Sequence, residues 1–112
     1  MVGVKRVVYQ PGARDHAHAH LHDSPTTVHV EAGIGITYVG RQLEERIVTR
    51  PGETLLIPAG VPHCALNGSS GKLVALVVRH SRHLPDTWEV PDLQATVERL
   101  FEEEQSQGRL SE

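Results

Sequence analysis

The chain has 112 residues, a formal net charge of -3 with histidine neutral, and a single cysteine. A chain of this length forms one domain around one modest core. The slight acidic excess argues against a nucleic-acid-binding protein, and no apolar run is long enough for a membrane span. Cys64 cannot form an internal disulfide, and the N-terminus lacks the apolar segment of a signal peptide. These features predict a cytoplasmic protein that binds neither nucleic acid nor membrane.

Most of the chain has the pattern of short β-strands. Residues 2–9 are rich in valine and form the first predicted strand, which Pro11 and Gly12 close. Alternating or β-branched segments separated by turn residues follow at 16–22, 27–31, 34–39, 43–49, 54–57 and 73–78. Short strands at this spacing predict an all-β sandwich or barrel over residues 1–90.

The tail changes from a strand pattern to a helix pattern after Pro91. Apolar residues then recur at the spacing of one helical stripe, at Leu93, Val97, Leu100 and Phe101. We therefore predict a helix over residues 91–105 that packs on the outside of the barrel. Three consecutive glutamates at 102–104 oppose the helix dipole, so we expect this end to fray and residues 106–112 to be disordered.

Eight histidines are the compositional outlier, and four of them alternate strictly at positions 16, 18, 20 and 22. In a strand these four side chains project to the same side. Neutral imidazole is a common ligand of transition metals, and two neighbouring histidines of such a row can converge on one ion. The alternation predicts a metal site, although spacing alone does not choose the pair.

A second cluster follows the turn at Pro51. It has the pattern G-x5-P-x-G-x2-H-x3-N, formed by Gly52, Pro58, Gly60, His63 and Asn67. His63 can add a third imidazole to two from the upstream row, which is how a folded core builds a metal site from distant segments. Cys64 and His29 have the opposite strand parity, so both are predicted to point away from this site.

The two clusters together resemble the two motifs of the cupin superfamily. The second motif is matched at every defined position, whereas the first is matched in part. His20 and His22 fit its histidine pair, and Gly33 fits its closing glycine. The position of the motif carboxylate is occupied by Thr26, which departs from the family pattern. A different register would use His18 and His20, so His18 is kept as a reserve ligand.

The resemblance implies the fold and the ligand set. It implies an all-β, double-stranded β-helix or jelly-roll barrel with one C-terminal α-helix. It further implies a divalent transition metal held by His20, His22 and His63, with Thr26 and Asn67 in the cavity near the ion. Three neutral imidazoles leave the ion its full charge, which favours anionic ligands. Fe(II) is the favoured metal, and Zn, Ni, Cu or Mn also suit imidazole ligation.

Function is less specific, because one fold carries many chemistries. The resemblance implies a dioxygenase that acts on a small organic anion. The alternative is a non-catalytic module that senses a small molecule or a metal, and a weaker alternative is an isomerase or epimerase of sugars. The resemblance also implies a homodimer, for which the valine-rich N-terminal strand is a plausible interface.

Overall fold

The computed structural model describes residues 2–13, 18–20, 25–80, 87–89 and 91–106. Within these residues lie nine strands and one α-helix, with a short 3-10 turn at Pro91–Leu93 before the helix. Their bounds are β1 (Val2–Tyr9), β2 (His18–His20), β3 (Thr26–Ala32), β4 (Gly35–Val39), β5 (Glu45–Thr49), β6 (Thr54–Ile57), β7 (His63–Asn67), β8 (Leu73–His80), β9 (Thr87–Glu89) and α1 (Gln94–Ser106).

The strands form two antiparallel sheets. Sheet I has the order β1-β8-β3-β6, and sheet II has the order β5-β4-β7-β2-β9. Consecutive strands are mostly placed in different sheets or beside non-consecutive partners, as in a jelly roll. The predicted all-β barrel with one C-terminal helix is therefore confirmed. The strand β9 was not predicted from the sequence.

The turns depend on glycines with a left-handed backbone. Gly33, between β3 and β4, has φ of 80°, and a Cβ there would lie 2.5 Å from the carbonyl oxygen of Lys72. Only glycine fits so close an approach with this backbone. The packing of the β3–β4 turn against the residue preceding β8 accounts for the closing glycine of the first motif.

The helix α1 covers the outer face of sheet II. Its apolar stripe is buried in a cluster with side chains from β4, β7 and the β4–β5 loop, made of Ile36, Tyr38, Leu43, Cys64, Leu66, Leu93, Val97, Leu100 and Phe101. The four residues of the predicted helical stripe are all in this cluster. Within the described part of the chain, no helix is long and apolar enough to cross a membrane.

The helix α1 continues through the glutamates to Ser106, close to its predicted end, and the expected fraying there remains a prediction. Glu104 is fully buried, and its carboxylate accepts hydrogen bonds from the Tyr38 hydroxyl and from Arg46 Nε at 2.6 Å. We call Tyr38, Arg46 and Glu104 the outer polar cluster. Its charge pairing holds the last helical turn against sheet II.

The outer polar cluster changes the titration of its tyrosine. Burial, together with the hydrogen bond to the Glu104 carboxylate, raises the pKa of Tyr38 from its ordinary value of 10 to about 12. The same carboxylate raises the pKa of Arg46, chiefly through their hydrogen bond. The cluster is thus a fully paired set of polar groups.

Candidate metal and ligand site

A cavity of about 350 Å³ lies between the two sheets. Its wall comes from β1, β3, β6 and β8 on one side and from β4, β5 and β7 on the other. Most of the wall is aliphatic, contributed by residues that include Val7, Val28, Val30, Ile57, Ala65, Leu73, Ala75 and Val77. The volume and the apolar wall are typical of a site for a small molecule.

His63 is the motif histidine that the structure places on the cavity wall. It is the first residue of β7 and is 4% exposed. The preceding turn contains Gly60, with φ of 76°, and brings the Val61 carbonyl oxygen to 3.1 Å from His63 Nδ1. Because a carbonyl can only accept, the neutral ring carries its proton on Nδ1 and its lone pair on Nε2. This tautomer suits a metal ligand.

The backbone of the N-terminal histidine row runs beside His63. In the register of β2 and β7, His18 is directly opposite His63, and in that of β2 and β9, His20 is opposite Thr87. The side chains of His18 and His20 and all of His22 lie outside the described residues. Among the residues that the structure describes, no three histidine, cysteine or acidic side chains come together as a metal site. The ligand set therefore remains a prediction.

Thr26 lies on the cavity wall, where the motif carboxylate is missing. It is 3% exposed, and its hydroxyl oxygen has no hydrogen-bond partner among the described residues. Its register partner on β8 is Arg79, which also lines the cavity. We call Thr26, His63 and Arg79 the cavity polar cluster. Sequence reasoning could not assign Arg79 to it, because the assignment depends on the pairing of β3 with β8.

Asn67, the other residue expected near the metal, is not part of the cavity wall that the structure describes. Its side-chain amide donates to the carbonyl oxygens of Tyr9 and Gly71, at 3.0 and 2.8 Å, and its Oδ1 accepts from the backbone and hydroxyl of Ser69. These bonds fix the β7–β8 turn against the end of β1. Asn67 thus stabilises the β7–β8 turn through its side-chain hydrogen bonds.

The two residues of opposite parity do point away from the cavity. Cys64 is fully buried in the cluster beneath α1. His29 Nδ1 lies 2.9 Å from the Thr54 hydroxyl, while its neighbours Val28 and Val30 line the cavity. Strand alternation alone was enough for both assignments.

Comparison with models of protein families gives the same assignment as the fold and the motif residues. A family model described as a cupin domain matches residues 5–79. The chain belongs to the cupin superfamily. No curated protein matches the chain at a significant level.

Solved structures show the same architecture. The chain is similar to TT1209 from Thermus thermophilus, with 29% identity, a TM-score of 0.61 and 70% of each chain covered. It is also similar to an uncharacterized double-stranded β-helix protein from Klebsiella pneumoniae, with 18% identity, a TM-score of 0.68, and 80% of this chain and 74% of that chain covered. An oxalate oxidase shares 22% identity at a TM-score of 0.69, over 95% of this chain and 62% of that chain. The last two likenesses describe the fold alone.

Proposed function

We propose that the cavity binds one divalent transition metal and a small organic anion. The observation that carries this proposal is His63, buried on the cavity wall with its Nδ1 hydrogen-bonded to the Val61 carbonyl. A metal-ligating histidine characteristically donates its other ring N–H to such an acceptor. Thr26 faces the same cavity from sheet I, and its hydroxyl has no hydrogen-bond partner among the described residues, which also suits a site that is completed by a ligand.

The upstream histidines would supply the remaining ligands. Motif spacing favours His20 and His22, with His18 in reserve, and the register opposite His63 makes His18 a serious competitor. Cross-strand partners share one face of a sheet. The ion would supply Lewis-acid or redox chemistry, with Fe(II) favoured and Zn, Ni, Cu or Mn as alternatives.

Metal analysis of the full chain, purified without an affinity tag, tests the site. We expect one metal ion per chain in the parent and nearly none in His63→Ala. His29→Ala is the matched control, since His29 lies on the opposite face beside Thr54, and it should retain its metal. Single alanine variants of His18, His20 and His22 then identify the other ligands. A His63→Ala protein with parental metal content would refute the proposed site.

Two functions fit the same cavity. We favour a dioxygenase of a small organic anion, because a site with open coordination positions can accept both reactants. The second candidate is a non-catalytic sensor that uses the cavity only for binding. Oxygen consumption by the iron-loaded chain, over a panel of enolised diketones, flavonols and thiols, separates the two. Consumption that requires both iron and substrate supports the enzyme, whereas binding without consumption supports the sensor.

The proposal includes a homodimer formed through the outer face of sheet I, in a cytoplasmic protein. This face carries the exposed apolar side chains Val4 and Val8 of β1 and Leu56 of β6, which are 64%, 52% and 64% exposed. They lie on the two edge strands of the sheet, and exposed apolar side chains on a sheet face suit an interface. Sedimentation of Val4→Lys beside the parent tests it. We expect the parent to sediment as a dimer and the variant as a monomer. A parent that sediments as a monomer would contradict the proposal.

A further inference from the structure

The cavity wall carries a polar pair on sheet I that the metal site does not require. Thr26 on β3 and Arg79 on β8 are directly opposite each other in the antiparallel register. Both line the cavity, so their side chains lie at the same level of its wall. A hydroxyl and a guanidinium on one cavity wall are both hydrogen-bond donors that a ligand in the cavity can accept from.

The hydroxyl of Thr26 is the first sign of a ligand. Among the described residues, it is the only buried side-chain nitrogen or oxygen without a hydrogen-bond partner. The cavity threonines Thr37 and Thr49 are similarly buried but do not share this state. Burying a hydroxyl without a partner is unfavourable, so such a group usually has a water or a ligand as its partner.

The charge of the wall is the second sign. The charged side chains among the described lining residues are those of Lys5 and Arg79, with no aspartate or glutamate. The chain as a whole has 14 acidic residues against 11 basic ones. The described part of the cavity wall therefore has the opposite sign to the whole molecule, and its field favours an anion.

The shape of the two groups indicates which anion. A guanidinium presents its N–H donors in a plane that matches the two oxygens of a carboxylate, and it carries five donors, so it can serve a ligand as well as the protein. The rest of the wall is mainly aliphatic. We propose that Thr26 and Arg79 form a carboxylate-binding subsite for a small ligand with an aliphatic body. This proposal rests on the proposed function of the cavity and names its substrate class.

Nuclear magnetic resonance titration of the ¹⁵N-labelled full chain tests the subsite. The probes are isovalerate and its uncharged amide, isovaleramide, which share their aliphatic body. Isovalerate should bind at least about tenfold more tightly, because charge-assisted hydrogen bonds are stronger than neutral ones. The backbone amides of Thr26 and Arg79 should be among the first to shift. Equal affinities, or shifts confined to another surface, would overturn the proposal.

Matched variants assign the effect to the two residues. Arg79→Gln should weaken isovalerate binding by about tenfold or more, and Thr26→Val by about fivefold. The controls are Arg6→Gln, on the outer face of sheet I where Arg6 pairs with Glu31, and Thr54→Val, whose hydroxyl lies beside His29 and not on the cavity wall. Both controls should stay within about twofold of the parent. If Arg79→Gln does not fold, Thr26→Val decides alone, and parental affinity in that variant would overturn the proposal.

Two further arms separate this subsite from the metal and from anions in general. Titration of the metal-free chain with isovalerate tests the subsite of Thr26 and Arg79 without an ion. Metal content measured without carboxylate tests the proposed metal site. The subsite and the metal site can therefore fail independently of each other. Inorganic phosphate should bind at least about tenfold more weakly than isovalerate, because it cannot use the aliphatic wall. Tighter binding of phosphate would contradict a carboxylate subsite.

Discussion

The two polar clusters lie on opposite sides of sheet II, one beneath the helix and one around the cavity, and they differ in how their groups are paired. The outer polar cluster, formed by Tyr38, Arg46 and Glu104, joins β4 and β5 to the helix α1. Its buried carboxylate accepts from two side chains. The cavity polar cluster instead contains the Thr26 hydroxyl, which has no partner among the described residues.

This difference in pairing indicates that the outer polar cluster stabilises the fold and that the cavity polar cluster binds a ligand. A paired buried network fixes the positions of the elements that contribute to it, and its polar groups need no ligand as a partner. A buried polar group without a partner is a cost to the fold, and such costs are typical of binding sites. Changes in the outer polar cluster should therefore alter stability, whereas changes in the cavity polar cluster should alter ligand binding.

The largest expected change in stability comes from the apolar packing around the outer polar cluster. Phe101→Ala should lower the free energy of unfolding by about 3 kcal/mol, because its ring is buried between α1 and sheet II. Denaturant unfolding measures it, with Arg99→Ala on the same helix as the control. The Arg99 side chain is 62% exposed, so its truncation should cost less than about 1 kcal/mol. Equal costs would mean that α1 is not docked.

The outer polar cluster itself should give the next effect. Glu104→Ala should cost about 2 kcal/mol, because it leaves the buried Tyr38 hydroxyl without its acceptor. The neighbouring Glu103→Ala is the matched control. Glu103 pairs with Arg99 on the exposed surface, so its removal should cost less than about 0.5 kcal/mol. Both variants should keep the metal content of the parent, and a loss specific to Glu104→Ala would link the two clusters.

A pH dependence should follow from Tyr38. Because its pKa is raised to about 12 in the folded chain, the native state holds this proton more tightly than the unfolded state. The contribution to stability is complete below about pH 10 and is lost as the pH rises toward 12. Over this range, the free energy of unfolding should fall less steeply with pH for Tyr38→Phe than for the parent. Equal slopes in the two proteins would refute the raised pKa.

The smallest effect on stability is expected in the cavity polar cluster. Thr26→Val removes a hydroxyl that has no partner within the described residues, so the free energy of unfolding should change by less than about 0.5 kcal/mol or should rise. The same variant should weaken binding of a carboxylate. A loss of more than about 1 kcal/mol would show that the hydroxyl has a structural partner, and the contrast between the clusters would fail.

The sequence predicts what depends on local pattern. Strand alternation correctly separates His63 from Cys64 and Thr26 from the outward-facing His29, and helical spacing identifies the stripe that packs on sheet II. Gly60 of the second motif has a left-handed backbone in the turn before β7. The family assignment follows from the same residues.

The remaining features depend on contacts between distant segments. Glu104 opposes the helix dipole locally, and its pairing with Tyr38 on β4 and Arg46 on β5 explains why α1 continues past it. Arg79 is assigned to the cavity by the register of β8 with β3. Asn67 fits the family motif, yet its amide holds a turn. The division into residues 1–90 and 91–105 remains a prediction, and residues 107–112 lie outside the described part of the chain.

The central claim is that the cavity, and not a surface histidine, is the metal site. Crystals of the metal-loaded chain, measured at the absorption edge of the bound metal, test it through an anomalous difference map. The account predicts one peak per chain in the cavity, about 2.0–2.2 Å from His63 Nε2, with two further imidazoles from residues 16–22. A peak beside His29 with none in the cavity would contradict it.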